Sequence, residues 1–502
     1  MTPLRASIAT VAVAAFWAIG VLAATLLPMT DPDTWWHIRA GGEILATGSV
    51  PRVDTWSIAG AGREWISQDW MSNVLLAVVH GAGEWGPTLV SLLYSLMALA
   101  AIWLIWDAIR VRHPSVGWLA RTCWLLFGLV LAAPVLGARV QVVDLFLGAA
   151  TLNVLWRYLA SPSLRLLLLL PLIAVAWVNL HAGFPLLFLL GGAVVVGEAL
   201  DRYHGRSPEG GPLRWQALGW LSVAFAVSAA VLALNPNGIA IYAYPFDTLR
   251  ISALESFVGE WQPARLDAPA GQLLALFVLV AVLPTLLIAP RRVRTADGLI
   301  LLGITFMAVT AVRFLLVAGP LGAAVACVVL APAISDSPFG RRTGRMIARA
   351  TARPPGVRGA VNAALALVIV AAGVAISVAR VLPAAQERAI SADYPVAAIA
   401  WLDAHEPGER IFNRYEWGGY LGLHLPDRPL FIDGRADVYG DAIIREYVEV
   451  TSVNEDPQQF LEDHGIDHIL YPGDSTLGRW LNESPDWAVA YEDEVASVWV
   501  ER

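Results

Sequence analysis

Asp31 and Asp33, followed at once by Trp36 and His37, form the stretch Asp31-Pro-Asp33-Thr-Trp35-Trp36-His37. Two carboxylates and an imidazole so close together can take a proton from an attacking hydroxyl or return one to a leaving group. The stretch directly follows an apolar run over 8–28, so the acids arrive at the edge of a hydrocarbon layer. Charge inside that layer costs about 2.5–3.5 kcal/mol per residue or more, and such residues are functional candidates by default. Asp54, Glu64, Gln68 and Asp69 follow in the same connection, 29–85. Polar groups that converge on one cavity mark a site. The competing reading is structural: Asp33 is placed to cap a helix over Trp35–Thr47, and tryptophans form belts at membrane interfaces. On that interfacial helix Trp35, Ile38, Ile44 and Leu45 suit an apolar face, and Asp33 and His37, four apart, share another. A second amphipathic segment runs from Asp69 to His80.

Further polar residues fall between apolar runs. Asn179 and His181 lie in Trp177-Val-Asn179-Leu-His181-Ala-Gly183, between two spans with almost no loop. The connection 235–270 opens on Asn235-Pro236-Asn237-Gly238 and closes on Glu260-Trp261-Gln262. Arg139 and Arg313 sit at or near span ends, against the general placement of arginine in this chain. A guanidinium there is a candidate phosphate ligand through bidentate hydrogen bonds. Snorkelling or helix capping accounts for any one of these residues taken alone.

The chain that must position these groups has 502 residues, 57% of them hydrophobic and only 15% charged. Soluble domains carry about 25% charged residues, so a polytopic helical membrane protein is expected. Apolar stretches at 8–28, 86–108, 117–135, 140–157, 164–180, 183–200, 216–234, 271–289, 297–313, 315–333 and 359–381 predict eleven spans. Arg313 and Pro320 interrupt the tract 297–333. The first span has a longer apolar core than a signal peptide's roughly 7–15 residues, and is read as an uncleaved anchor.

All basic residues other than histidine are Arg. Arg5, Arg110 and Arg112, Arg157 and Arg165, Arg202, Arg206 and Arg214, and Arg291, Arg292 and Arg294 occupy alternate connections, and 341–358 adds six more. The positive-inside rule makes that side cytoplasmic and puts the N-terminus there. Loops 29–85 and 235–270 and the C-terminal region then face outward, in a cytoplasmic (inner) membrane.

Residues 381–502 carry 24 acidic and 8 basic side chains, which sets this region apart. Residues 1–389 are read as the transmembrane domain. Residues 390–502 are read as a small α/β domain, with helices near 395–404 and 456–464 and strands near 410–413, 429–432, 467–470 and 495–500. Pro407-Gly408, Gly418-Gly419, Asp433-Gly434 and Pro472-Gly473 mark turns. Asn413, Tyr420, Asp433, Arg435 and Tyr439 are candidates for binding a glycan or another acceptor. A fold-specific turn, with Asp433 and Arg435 as an internal ion pair, is the alternative. Cys123 and Cys327 lie in apolar runs and form no metal or redox motif. The chain has no phosphate-binding P-loop, dinucleotide fingerprint, HExxH or nucleophile elbow. No nucleic-acid partner is expected.

The D-x-D-x-W-W-H stretch at Asp31–His37, the W-x-N-x-H-x-G turn at Trp177–Gly183, and the tail motifs Asn413–Leu421 and Phe431–Gly440 together resemble the C-type (GT-C) integral-membrane glycosyltransferases. Those include oligosaccharyltransferases, protein mannosyltransferases and aminoarabinose transferases. The likeness covers most of the chain and is greatest to a bacterial branch with an extracytoplasmic C-terminal domain. It implies transfer of a sugar from a polyprenyl-phosphate carrier, among membrane lipids, to a glycan, lipid or protein acceptor on the outer face. It implies Asp33 at the catalytic centre with Asp31 beside it. Asp69 stands where relatives have an acid before Trp-Leu, here Trp70-Met71. Some relatives need a divalent cation such as Mg or Mn and others none, so metal use stays open. Two other classes stay open as well: a transporter or flippase of lipid-linked glycans, and a non-catalytic envelope assembly protein.

Overall fold

The computed structural model describes residues 7–208, 210–288, 293–351, 356–405 and 410–502. Arg5, Arg291, Arg292, Arg353 and the Pro407-Gly408 turn lie outside the described residues. Each of the eleven apolar stretches forms a helix. Eight helices among the described residues are long and apolar enough to cross a membrane: Ile8–Thr25, Gly83–Arg112, Trp118–Val135, Val142–Ala160, Trp215–Leu234, Pro269–Leu287, Val312–Asp336 and Arg358–Ala379. Leu164–Leu180 and Thr295–Thr310 are apolar but shorter. Pro185–Tyr203 has the length, but carries Glu198, Asp201 and Arg202 near its end. The chain is a multi-pass helical membrane protein.

The charges at those helix ends are paired across helices. Arg294 lies 2.5 Å from Glu198, and Arg112 lies 2.9 Å from Asp297. Arg157 pairs with Asp107, and Asp201 accepts hydrogen bonds from the Thr295 backbone and hydroxyl. Removing one partner of a buried pair leaves an uncompensated charge and costs about 3–5 kcal/mol. These contacts therefore fix how the helices meet.

Val312–Asp336 is the central helix, buried throughout from Leu315 to Ala331. Its small residues let a neighbour come to backbone contact: a Cβ on Gly128 would lie 2.6 Å from the Gly319 carbonyl oxygen. The tract 297–333 breaks at Ala311, whose backbone is extended, and Arg313 falls in the short turn Val312–Phe314 that follows. Pro320 does not contribute to the break, because the helix continues through it.

The C-terminal region holds a four-stranded sheet of β1 (Ile411–Asn413), β2 (His468–Tyr471), β3 (Trp487–Glu492) and β4 (Ser497–Glu501), in the order β1-β2-β4-β3. β1 and β2 are parallel and the other pairings antiparallel. Helices Val396–Ala404 and Pro457–Asp463 match expectation, and Pro383–Asp393 runs across the boundary drawn at 389. The expected strand at 429–432 is only a pair of isolated bridges, from Leu430 to Ser57 and to Ile411. Side chains and the outer loop occupy its backbone instead. Asn413 accepts from the Phe431 and Ile432 amides, and the Ile58 amide donates to the Leu430 carbonyl at 2.8 Å. β3 was not expected; it is an edge strand with half of its residues exposed.

Two hydrophobic cores meet at the first outer helix. Trp35 belongs to the core of the helical bundle, whereas its neighbour Trp36 packs with the aromatic core of the tail, among Trp56, Trp65 and Phe431. The helix is thus buried between both layers. Its two tryptophans pack against protein on both sides.

Candidate active site

The first outer helix is Pro32–Thr47, three residues longer than expected at its start, and its cap is Asp31, not Asp33. Asp31 accepts from the Asp33 amide at 3.2 Å, and Pro32 takes the first helical position, where a missing N–H costs nothing. Capping is thereby assigned to Asp31, and Asp33 is left to point elsewhere. Asp33, Trp36 and His37 all line a cavity of about 500 Å³. Trp36 Nε1 donates to Asp33 at 3.1 Å, and the Trp36 ring lies over that of His37, with centroids 3.6 Å apart.

His37 is held from behind. Its Nδ1 is 2.6 Å from Asn73 Oδ1 and 3.4 Å from Asp69. The Asn73 amide nitrogen donates to Ser67 and Asp69, so its oxygen is the face offered to His37, and Nδ1 is the donor. Burial pushes the His37 pKa down, against the pull of Asp69, which favours a neutral ring.

The remaining polar wall comes from distant segments. Arg139 reaches Asp31 at 3.1 Å, Gln141 at 2.9 Å and Glu260 at 2.5 Å. Arg313 lies 3.8 Å from Glu260, with its guanidinium 4.2 Å over the Trp261 ring. His181 is fixed by Asp144 at 2.8 Å, and Asp144 also accepts from Trp177 Nε1. Segments that arginine placement assigned to one side of the membrane therefore meet around one cavity.

The electrostatics separate the acids. Burial pushes both Asp31 and Asp33 up to about 6. At Asp31 the Arg139 guanidinium opposes that rise; at Asp33 the charge of Glu260 adds to it. Burial would also raise Glu260, but Arg139 and Arg313 outweigh it and hold that carboxyl below its ordinary value. Arg139 is correspondingly raised, since Asp31 and Glu260 overcome its desolvation. Of the acids around these two arginines, Asp33 is the one with no arginine in contact among the described residues. A carboxyl titrating near neutrality is suited to taking a proton.

The tail closes over this acid. A Cβ on Gly434 would lie 2.3 Å from Asp33 Oδ1, so a side chain there would displace the Asp33 carboxyl from its present position. Tyr415, Glu416 and Asp437 bring further tail residues to the cavity.

Of the residues expected at the site, Asp31, Asp33, Trp36, His37, Asp69, Arg139, His181 and Arg313 line the cavity. The others are placed elsewhere. Asp54 is buried and bonded to Ser57 and Arg435. Glu64 is exposed and lines a neighbouring recess. Asn179 accepts from Trp70 and Asn235, which makes it a link between helices and not a substrate ligand. The tail candidates are also corrected. Asn413 clamps the 431–432 backbone, and Tyr439 accepts from the Asp433 amide. Tyr420 packs against Trp35 and Tyr394. Asp433 and Arg435 form the internal ion pair, at 2.7 Å, with both side chains buried.

Sequence reasoning passed over Glu260, Asp144 and Asp437. Glu260 carried one signal, an acid beside Trp261 at the end of an outer loop. Among the described residues no group of three or more His, Cys, Asp or Glu side chains is arranged to hold a metal ion. Asp31 and Glu260 already face Arg139, so those two acids are taken up by a guanidinium.

No protein-family model matches the chain, and no curated protein matches it in sequence. Solved structures do match its fold. ArnT from Cupriavidus metallidurans, bound to undecaprenyl phosphate, superposes at TM-score 0.53 with 16% identity, over 98% of this chain and 97% of that one. The Archaeoglobus fulgidus oligosaccharyltransferase, in complex with Zn and sulfate, gives TM-score 0.50 and 12% identity, over 92% of this chain and 68% of that one. Both have the GT-C fold of membrane glycosyltransferases, and the chain shares it.

Proposed function

We propose that this chain is a glycosyltransferase that moves a sugar from a polyprenyl-phosphate carrier to a glycan, lipid or protein acceptor on the outer face of the cytoplasmic membrane. The orientation set by arginine placement and the division into domains at residue 389 belong to the same reading. The observation that carries it is the position of Asp33: a half-buried carboxyl with no cation in contact among the described residues, beside the alternating chain Asp31–Arg139–Glu260–Arg313. One acid is left to act as a base while two arginines stand where anionic charge would develop.

In this reading the acceptor hydroxyl loses its proton to Asp33 as its oxygen bonds to the anomeric carbon. The bond from that carbon to the carrier phosphate breaks, and its electron pair leaves on the phosphate. Arg313 is the better placed phosphate ligand, because its guanidinium is stacked on Trp261 and only loosely paired. Arg139 meets three acceptors already; its role is to hold Asp31 and Glu260 in place. Leu186, Met307, Leu316 and Val317 supply an apolar wall suited to the first units of a prenyl chain. Convergence of the polar groups on one cavity supports transfer over transport, which calls for a path of polar groups through mid-membrane.

The test is direct. Purified chain is incubated with radiolabelled undecaprenyl-phosphate sugars and envelope acceptors, and Asp33→Asn is compared with wild type. Transfer should disappear while the variant remains folded; undiminished transfer would remove Asp33 from the base role.

A further inference from the structure

A second recess of about 460 Å³ adjoins the cavity, and Ile66, Tyr244, Thr248 and Asp437 line both. The two spaces are neighbours across this shared wall. Their linings differ in kind. The main cavity is bounded by helix residues such as Leu316 and Val317, whereas the recess adds Glu64 from the first outer loop, Asp247 from the second and Gly440 from the tail. Glu64 and Asp247 are exposed, so the recess opens on water.

Asp437 stands in the shared wall. Asp54 and Asp433, its neighbours in the tail interface, are both bound to Arg435, yet Asp437 makes no ion pair among the described residues. Burial pushes its carboxyl up to about 7 against the pull of Arg435, so it can both accept and donate a hydrogen bond near neutral pH. Arg63, the basic residue of the recess, is turned toward the backbone, with Nε donating to the Val438 carbonyl at 2.7 Å. Glu64 and Asp437 line the recess with no ion pair among the described residues, whereas Asp247 is paired with Arg250 at 3.0 Å.

We infer that this recess is the entrance for the acceptor, and that Asp437 binds the hydroxyl-rich, uncharged or amine-bearing end of a glycan that arrives from water. The inference rests on the transferase reading above and adds the acceptor's chemical class and its route. Carrier and acceptor then reach Asp33 from different sides, the prenyl chain along the apolar wall and the glycan end past Asp437. A carboxylate-lined entrance disfavours uronic acids and phosphorylated sugars.

The full chain in lipid nanodiscs is titrated with three soluble trisaccharides: maltotriose, the glucosamine trisaccharide of chitosan, and trigalacturonate. Binding of undecaprenyl phosphate is measured in parallel. Maltotriose or the glucosamine trisaccharide should bind, with trigalacturonate about tenfold weaker, and Asp437→Asn should weaken the favoured ligand by about tenfold, as expected for loss of a charge-assisted hydrogen bond. Glu64→Gln, at an exposed position that folding does not depend on, should weaken it in the same direction. The proposal is overturned if neither favoured trisaccharide binds, if trigalacturonate binds best, or if both substitutions leave binding unchanged. A wild-type chain that binds trisaccharides through Asp437 yet ignores undecaprenyl phosphate would sink the carrier reading alone.

Discussion

Two arginine–carboxylate clusters lie within the same outer layer and do opposite things. In the tail, Arg435 is gripped by Asp433 through several hydrogen bonds, lies 2.7 Å from Asp54, and is stacked on Trp56 and Trp65 at 4.1 and 4.5 Å. Its side chain and those of both acids are wholly buried. At the cavity, Arg139 and Arg313 meet Asp31 and Glu260 with side chains left 11–21% exposed, and Asp33 has no arginine in contact. Residue types and aromatic neighbours are alike in the two places. What separates them is whether the charges are closed off from solvent and whether every acid has an arginine in contact. A sealed cluster staples the tail to the first loop; an open one, short of a partner for one acid, has groups left over for a substrate.

That contrast predicts a loss of activity from one cluster and a loss of stability from the other. Asp33→Asn should reduce transfer by about 10²–10⁴-fold, the usual contribution of a general base, with no change in thermal unfolding. A variant that unfolds early would show that Asp33 is structural and erase the distinction. Arg435→Met should do the reverse. Leaving Asp54 and Asp433 unmatched costs about 3–5 kcal/mol, read as a lower midpoint in a detergent thermal-shift assay. Normal stability there would mean that water relieves the pair.

Smaller effects sharpen the picture. Arg313→Gln should weaken undecaprenyl phosphate binding by about ten- to a hundredfold, the worth of about 1.5–3 kcal/mol for a hydrogen bond to a charged group. Equal loss on Arg435→Met in its folded fraction would blur the two clusters. The smallest effect is on pH dependence. Base action needs the Asp33 carboxylate, and its pKa is raised to about 6, so transfer should fall as pH drops through 6. The loss should approach about tenfold per unit below that point. Residual activity of Asp33→Asn should lack this limb; if it persists, another acid sets it.

Much of the bundle was legible because a span is defined by length and apolarity, which can be read without knowing any contact. Arg139 and Arg313 were legible for a related reason, since they break the charge bias of their connections. The acids divided differently. Asp31, Asp33 and His37 stood out beside an apolar run, Asp437 stood only as one member of the Phe431–Gly440 motif, and Asp144 looks in sequence like any capping residue. Asn179, Asn413, Asp54 and Arg435 erred in the other direction. Each is polar and set among aromatics, and each proves to bond to backbone or to another buried side chain. Whether a polar group is satisfied from within depends on which distant segment lies across from it, and spacing along the chain does not encode that. The strand at 429–432 failed for the same reason, because Asn413 and Ile58 claimed its hydrogen bonds.

The glycine that lets a tail turn rest on Asp33 ties the earliest outer helix to a segment made long after it. During synthesis the helix that bears Asp33 is made directly after the first span, and most of the bundle is still to be made before Gly434 emerges to cover it. The raised proton affinity of Asp33 comes from burial, with the charge of Glu260 adding to it, so it is complete only once those later segments pack against the first helix after the anchor.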